Sequence, residues 1–506
     1  MTPIYIPFKK TKSLYQSGHS FPLIHERKFS LSPWELYTRV HTESPFSFFL
    51  DSLEHRPPAQ RYSYLGWKPY LRVTFTPAPF ALSPKGGEGR VRGMARLILE
   101  GEINRTIHRA NLIPELRKLF RPVKPAPGFS SDFFTGGAVG FWSYELAAEF
   151  DRISFRPKKG LPVPALALLF FRDLVVFDHK KDKYYLISWL VPQEGVSFEK
   201  AVRRAEASFR EMEKAFTKPD PFSRNGRFEF VKFHPEISKG AFETMVRKAK
   251  DYIRSGDIYQ ANLSQRFSFD FKGSPLRLYD SLRETNPSPF AAAFRFGDLF
   301  IASSSPELLV AKKGKVCVTS PIAGTRPRGR KERETKRLAR ELLANEKERA
   351  EHLMLVDLER NDLGRVSEWR SVQVKDFMRL EKYARVLHIV SDIEGRLRPG
   401  KDAWDVIQAM FPGGTITGCP KIRSMEIIDE LEPVRRGIYT GSLGYVGFDG
   451  NAMLNIAIRT LVLQKNRGYL QVGAGIVADS DPAREYEETL AKGEALAEAL
   501  IEASSL

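Results

Sequence analysis

The strand-like segments of this chain arrive in groups rather than in alternation with helices, and that grouping limits the fold more than any other feature. Regular alternation would build a parallel sheet wrapped by crossover helices. Grouped strands build antiparallel sheets with helices set against a face or an end. Residues 30–75 alternate in strand fashion, as in Arg61-Tyr-Ser-Tyr-Leu-Gly66 and Tyr70-Leu-Arg-Val-Thr-Phe75, with Gly66, Trp67 and Pro69 as punctuation. Residues 76–130 are rich in Pro, Gly and Arg and read as loops around one helix. Gly136-Gly-Ala-Val-Gly140 reads as a glycine-rich turn, and residues 166–190 as further strands rich in Phe, Val and Tyr. A charged helix is expected over residues 198–216, and Lys218 to Arg227, with two Pro and one Gly, is the best linker.

Beyond that linker the grouping repeats. Residues 239–255 form an amphipathic helix and 257–271 a strand, with strands and turns continuing to Ala323. One long helix is expected from Glu332 to Leu358, then strands at 441–447, 454–463 and 469–477, then a helix over 483–502. No short internal repeat and no low-complexity tract is visible. The expectation is an α+β fold in two regions, 1–225 and 235–502. A chain of 506 residues is too long for one simple core, which agrees.

Composition excludes several classes. Two cysteines, Cys317 and Cys419, cannot make a disulfide framework and fit a reducing compartment. The first residues lack an apolar core of signal-peptide length. The most apolar stretch, Leu161 to Phe171, is short and broken by Pro162 and Pro164, so no membrane span is expected and a cytoplasmic location is. The net charge of +18 raises nucleic-acid binding, but zinc-finger spacing, RNA-binding aromatic strings and basic-region heptads are all missing. A small dianionic substrate would profit from the same field.

Certain residue patterns could carry chemistry. Gly413-Gly-Thr-Ile-Thr-Gly418 is followed by Cys-Pro-Lys421, so it is not a P-loop, and Gly473-Ala-Gly475 lacks the third glycine of a dinucleotide fingerprint. Either is a tight turn or a place where backbone N–H groups meet a carboxylate. Glu348 and Glu351 lie three apart on one expected helix, and Glu485 and Glu488 on another, with Lys492 one turn beyond. Each pair shares a helix face. Such pairs usually solvate a helix; two of them meeting at one point would suit Mg²⁺, which takes one or two carboxylates plus substrate oxygens and water. His388 lies among apolar residues, where a satisfied core histidine is the default and a general base the alternative. Arg459 interrupts an apolar strand-like run and faces either an anion or solvent. No Gly-x-Cys-x-Gly or Gly-x-Ser-x-Gly string is present, which argues against a triad hydrolase.

Longer strings narrow the choice. Ser305-Pro-Glu307, Pro321-Ile-Ala-Gly-Thr-Arg-Pro-Arg328, Lys347-Glu-Arg-Ala-Glu-His352, Asp357-Leu-Glu-Arg-Asn-Asp-Leu-Gly-Arg365 and Ile416-Thr-Gly-Cys-Pro-Lys421 occur in that order. Met425-Glu-Ile-Ile-Asp-Glu-Leu-Glu-Pro433, Ile458-Arg-Thr460 and Gly473-Ala-Gly-Ile-Val-Ala-Asp479 follow. Together they resemble the chorismate-utilising enzyme family, component I of anthranilate synthase and of aminodeoxychorismate synthase. The likeness is strong over residues 235–500 and looser over 15–190. It implies a large composite β-sheet sandwich flanked by helices, with 1–225 as an N-terminal component I-like region and 235–502 as the chorismate-binding catalytic region.

The resemblance also implies roles. Glu351 and Glu488 would hold Mg²⁺ against the ring carboxylate of chorismate, supported by Glu348 and Glu485. Glu307 would protonate the departing C4 hydroxyl, which needs a raised pKa. His388 joins these as a catalytic candidate. Arg459 and Tyr439 would grip the enolpyruvyl carboxylate, and Gly324, Thr325, Thr415, Gly473, Ala474, Gly475 and Lys492 would make further substrate contacts. Gln260 stands where isochorismate synthases of this superfamily carry a water-activating Lys; Gln cannot act as that base, which disfavours hydroxylation. Ammonia, drawn from glutamine by an amidotransferase partner subunit, needs no such activation.

Tyr259-Gln-Ala-Asn-Leu-Ser-Gln-Arg266, Pro289-Phe-Ala-Ala-Ala293, Gly413-Gly-Thr-Ile-Thr-Gly418 and Leu454-Asn-Ile-Ala-Ile-Arg459 resemble the aminodeoxychorismate (folate) branch. Ala323 points to the anthranilate branch, since many folate-branch members carry Lys there. The expected product is therefore 4-amino-4-deoxychorismate, with anthranilate as the alternative. Phe48-Phe-Leu-Asp-Ser52 resembles the tryptophan-binding segment of these enzymes, so Ser52 with Pro287, Ser288 and Pro289 would make a small indole pocket; a buried strand and turn is the other reading.

Overall fold

The computed structural model describes the chain except residues 1–7, 54–60, 78–94, 109–110, 152, 223–228, 231–232, 330, 383–385 and 505–506. Much of the expected linker, 218–227, thus lies outside the described residues. Two large antiparallel sheets stack face to face with helices outside them, the α+β sandwich that the strand grouping calls for. One sheet runs edge to edge through Phe21–Lys28, Lys183–Leu190, Asp173–Asp178, Tyr62–Trp67, Phe46–Asp51, Phe290–Phe296, Leu299–Ser305, Thr460–Gln464, Arg467–Ile476, Gln260–Lys272 and the short Glu229–Phe230. The other runs through Arg105–His108, Arg96–Gly101, Leu71–Thr76, Leu166–Phe171, Gly137–Trp142, Ser442–Gly447, Ala452–Asn455, Leu308–Lys313, Val316–Ser320, Val386–Arg396 and Ile322–Pro327.

Each region supplies strands to both sheets, and the two regions trace the same path. Outward from the central Phe46–Asp51 and Phe290–Phe296 pair, each half lays down the same succession, ending on its own first strand. In the second sheet the halves meet where Gly137–Trp142 pairs with Ser442–Gly447.

Alternation along the strands feeds two cores at once. Phe48, Leu174, Val176 and Ile187 face the inter-sheet core, together with Val139, Phe141 and Leu168 of the opposite sheet. Their neighbours Phe49, Val175, Phe177 and Leu186 face outward, under the helices Pro33–His41, Phe198–Thr217 and Pro275–Thr285. A sheet buried on both faces has near-continuous apolar strands, which is why residues 166–171 read as an unbroken apolar run.

Several expected elements are corrected. Within 30–75, residues Pro33–His41 are a helix, started by Ser32 and Glu35 in a reciprocal capping box. The loop-rich stretch before residue 130 contains two strands, Arg96–Gly101 and Arg105–His108, besides the helix Leu112–Phe120. Gly137–Trp142 is a central strand and not a turn. Its glycines serve close approach: a Cβ on Gly140 would lie 1.9 Å from the Ala167 carbonyl oxygen, and one on its cross-strand partner Gly444 2.0 Å from that of Met453. The long helix from Glu332 is two, Glu332–Ala344 and Glu346–Gly364, divided at Asn345, whose side chain accepts from Glu348 N. No helix among the described residues is long and apolar enough to cross a membrane.

Gly140→Val should lower unfolding free energy by at least about 3 kcal/mol, because backbone rather than a movable side chain blocks the space. Urea denaturation checks this, and an unchanged midpoint would contradict the close approach.

Candidate active site

The run 454–463, expected as one strand, is two strands in different sheets. Ala452–Asn455 ends in one sheet, Thr460–Gln464 begins in the other, and residues 456–459 cross between them. The crossing is tight. Arg459 sits at φ 49°, a left-handed conformation that costs a non-glycine residue energy. Its carbonyl accepts from Ser304 N at 3.0 Å.

Glu307 follows the strand Leu299–Ser305 and is 4% exposed. Its amide donates to Ser305 Oγ at 3.3 Å, and its carbonyl accepts from Ile456 N at 3.0 Å. Burial raises its carboxyl pKa to about 7, opposed by the Thr415 hydroxyl, the Ile322 amide and the charge of Arg459. His388 is also buried, and burial, then the charge of Arg459, lowers it to about 4, so its imidazole is neutral. Its Nδ1 lies 3.0 Å from Thr325 Oγ1 and 3.2 Å from the Gly324 carbonyl. A carbonyl only accepts, so Nδ1 carries the hydrogen and Nε2 is left as an acceptor. Glu307, His388, Arg459 and Thr415 therefore gather at one end of the inter-sheet crossing, and Gly324 and Thr325, bonded to His388, lead from it towards the acidic helices.

The acidic helices meet at the other end. Glu348 pairs with Arg326 at 2.9 Å, and a Cβ on Gly324 would lie 3.0 Å from its carboxylate. Glu351 Oε1 accepts from Gln260 Nε2 at 3.0 Å. Burial raises the Glu351 pKa, and the charges of Glu348 and Glu488 add to that, against Gln260 and Lys347. Burial raises Glu485 too, with Glu488 adding and Ser480 opposing. Glu488 and Lys492 are exposed and paired at 2.7 Å, and Lys492 Nζ also reaches the Gly473 carbonyl at 3.1 Å. Carboxylates of Glu346–Gly364 and Pro482–Ser504 thus face one another, Glu351 feeling the charge of Glu488 across the two helices. Among the described residues no ready group of three metal-binding side chains exists. Two carboxylates from different helices, one of them partnered by the lysine ammonium, nevertheless fit a cation whose remaining ligands come from substrate and water.

Between the ends runs the strand Arg467–Ile476. A Cβ on Gly473 would meet Asn262 Oδ1 at 2.5 Å and the Tyr439 hydroxyl at 2.7 Å; one on Gly475 would meet Gln260 Nε2 at 2.5 Å. The string 473–475 is thus neither a turn nor a nucleotide loop but a strand whose glycines let the side chains of Asn262, Tyr439 and Gln260 close against its backbone. Ala474 points away, into the small core beneath the helix Lys239–Arg254.

Sequence reasoning missed the groups that hold this chamber. Arg436 and Glu432, 1% and 3% exposed at the side chain, pair at 2.7 Å. Arg436 also donates to the Ile416 carbonyl at 2.9 Å, and its guanidinium lies 5.7 Å from the Tyr439 ring. An i, i+4 Glu and Arg astride Pro433 was the available clue. Missed too were Glu359, Asp362 and Lys421, all buried.

The tryptophan-segment residues are brought together elsewhere, at the centre of the first sheet. Ser52 and Pro289 line a cavity of about 30 Å³ with Tyr62, Tyr64 and Asn455, while Pro287 and Ser288 lead into it. That volume suits one water and no indole ring unless side chains move.

Against this geometry the comparisons are consistent. A model of chorismate binding enzymes matches residues 88–498. Aminodeoxychorismate synthase component 1 of Bacillus subtilis (strain 168) is 42% identical over 87% of this chain and 89% of its own. Anthranilate synthase component 1 of Acetivibrio thermocellus is 39% identical over 94% of each. The crystal structure of anthranilate synthase component I from Streptococcus pneumoniae TIGR4 superposes with TM-score 0.73 at 37% identity, covering 88% of this chain and 93% of that one.

Glu307→Gln should abolish turnover of any substrate that needs the acid. Its effect on stability has the opposite sign. The folded carboxyl, with a pKa of about 7, holds its proton more tightly than the unfolded one at 4.5. The wild-type fold is therefore favoured as pH falls through that window and disfavoured above it. At pH 8 the Gln variant should resist urea better, by up to roughly 3 kcal/mol, with the advantage gone near pH 4.

Proposed function

From the premise that this chain belongs to the chorismate-binding enzyme family, we propose that it aminates chorismate with ammonia to give 4-amino-4-deoxychorismate. The observation that carries the chemistry is Glu307: a buried carboxyl poised near neutrality, in one chamber with Arg459. An acid of that pKa can protonate a leaving hydroxyl at physiological pH and be recharged afterwards. Arg459 and Tyr439 would seat the enolpyruvyl carboxylate, a planar guanidinium suiting a bidentate anion. Thr415 and the neutral His388 would orient groups on the ring. Gly473 and Gly475, against which Tyr439 and Gln260 close up, would flank the ring, with Gly324, Thr325 and Lys492 at its margins.

Glu351 and Glu488 would hold Mg²⁺, with Glu348 and Glu485 supporting them. A Mg²⁺ ion held by them would neutralise the ring carboxylate and draw electron density from the ring. The mutual repulsion of these carboxylates supports the assignment, since a divalent cation relieves it. The chain's own share is to keep them aimed: Gln260 on Glu351, Arg326 on Glu348 and Lys492 on Glu488.

Ammonia would come from a glutamine amidotransferase subunit. The relatives are named component 1, which supports a separate component, and no glutaminase elbow string occurs in this sequence. The four strings at 259–266, 289–293, 413–418 and 454–459 support the aminodeoxychorismate branch, as does the 42% relative. One observation favours anthranilate instead. Ala323, 8% exposed in the strand Ile322–Pro327, presents no amine, which leaves C2 of the ring open to ammonia.

The test is an incubation with chorismate, Mg²⁺ and ammonium, followed by an aminodeoxychorismate lyase. p-Aminobenzoate should appear only after the lyase; anthranilate fluorescence before it would overturn the branch. Glu351→Gln and Glu488→Gln should each cut Mg²⁺-dependent turnover at least about 100-fold while leaving the circular dichroism spectrum unchanged. Full activity of either variant at limiting Mg²⁺ would remove the metal assignment. Glutamine should replace ammonium only when an amidotransferase subunit is added.

A further inference from the structure

The two carboxylates assigned above to Mg²⁺ have unlike partners. Glu351 Oε1 accepts from the neutral amide of Gln260 at 3.0 Å, so its charge stays uncompensated. Glu488 Oε1 meets the ammonium of Lys492 at 2.7 Å, a full positive charge on an oxygen that a metal would use. Any contest between a cation of the chain and a divalent ion therefore falls on Glu488.

Spacing alone makes Glu488 and Lys492 an ordinary helix-surface pair, one turn apart and each about half exposed. A second bond sets them apart from that class. Lys492 Nζ also donates to the Gly473 carbonyl at 3.1 Å. Gly473 lies in the strand Arg467–Ile476, where Asn262 and the Tyr439 hydroxyl close against it. The ammonium is thus held between the helix Pro482–Ser504 and a strand of the chamber, and does not trail in water.

The surrounding charges single out the same residue. Glu488 adds to the raised pKa of both Glu351 and Glu485, which burial begins. Lys347 acts on both of those acids by its charge and Lys492 on Glu485, each in the opposite sense. Arg326 is engaged with Glu348 at 2.9 Å. Of these three cations, Lys492 is the one paired with a proposed metal ligand.

An ammonium and a divalent ion repel one another on one oxygen. Mg²⁺ binds oxygen at about 2.1 Å. With Nζ 2.7 Å from Oε1, the two cations would stand no more than about 4.8 Å apart. Twice the charge at less than twice the distance repels the ammonium at least as strongly as Glu488 attracts it. The lysine stem is long and flexible, so Nζ can leave Glu488 while keeping the Gly473 carbonyl.

Resting on the reading of Glu351 and Glu488 as the Mg²⁺ carboxylates, we propose that Lys492 competes with Mg²⁺ for Glu488 and so sets how tightly the metal binds before substrate arrives. The ammonium neutralises Glu488 until the divalent ion takes its place. Once displaced, it remains on the Gly473 carbonyl, at the margin of the chamber.

Isothermal titration of Mg²⁺ into the full chain, without chorismate, measures this competition. Lys492→Met should bind Mg²⁺ at least about fivefold more tightly than wild type. Lys492→Arg keeps the charge and should stay within about twofold of wild type. Lys347→Met removes a charge of the same sign from the neighbourhood but no partner from Glu488, and should gain less than about twofold. Equal gains from Lys492→Met and Lys347→Met would reduce the effect to the general field and overturn the proposal. So would an affinity of Lys492→Met no tighter than wild type, or no Mg²⁺ binding by either chain. The gain should vanish when Glu488→Gln is added to Lys492→Met; a double variant that keeps it binds the metal elsewhere, which also overturns the competition. A wild type that consumes chorismate equally well without Mg²⁺ would overturn the metal reading of the site. Mg²⁺-dependent turnover with unchanged metal affinity in Lys492→Met would overturn the part of the lysine alone.

Discussion

The chamber depends on one buried ion pair. Arg436 and Glu432 are almost wholly out of water, and every contact they make ties down a different wall. Glu432 accepts from the amide and hydroxyl of Ser264 on one strand, both at 2.8 Å. Arg436 reaches the carbonyls of Ile416 and Asn262, so the turn that carries Thr415 and the strand that carries Gln260 share one guanidinium. From the other half of the chain, Glu145 accepts from the amides of Arg436 and Gly437. A buried pair of this kind is weak as a source of net stability, but losing one partner leaves an uncompensated charge and costs about 3–5 kcal/mol. Its use here is to fix geometry: Tyr439, the Gly414–Ile416 turn and the glycines of Arg467–Ile476 stay in register with one another.

That dependence explains what the sequence showed of the fold and what it hid. The class was legible because grouped strands with two apolar faces leave few architectures. The shared path of the two halves was not. It is a repetition of topology, carried by strand order, with no repeated string to reveal it. Local periodicity failed where tertiary demands changed the meaning of a residue. Gly140 looks like a turn former, yet it is the place where two backbones approach too closely for any side chain. The run 454–463 is apolar throughout because both sheets are, so nothing in it marks the crossing except the arginine. The helix break at Asn345 did have a local cause, an Asn free to cap the second helix.

The site was legible unevenly for a related reason. The Glu pairs three apart gave away a helix face but not its neighbour, since equal spacing serves a solvated surface. Only the fold shows that Glu351 feels the charge of Glu488. Gly473 and Gly475 were singled out as a turn, and the structure makes them part of a strand on which Tyr439 and Gln260 pack closely. Arg436, Glu432 and Glu359 escaped notice because an isolated Arg or Glu in sequence gives no sign of being buried, and charged residues are buried only when paired.

The electrostatics of the chamber follow from its two ends. At one end the charges of Glu348 and Glu488 raise Glu351, and that of Glu488 raises Glu485, beside Arg326 and Lys492, and a bound cation would relieve that repulsion. At the closed end a single arginine faces a carboxyl that burial keeps near neutrality and a histidine that burial keeps uncharged. On the proposed reading, one carboxylate would be drawn towards Arg459, and the second would need a cation among the glutamates. That polarity would orient the proposed substrate, with its two carboxylates, before any contact specific to its ring is made. It also accounts for the strain at Arg459. The left-handed turn between the sheets brings Arg459 beside Glu307 and His388, and the carboxylate proposed to bind there would offset the cost of the turn.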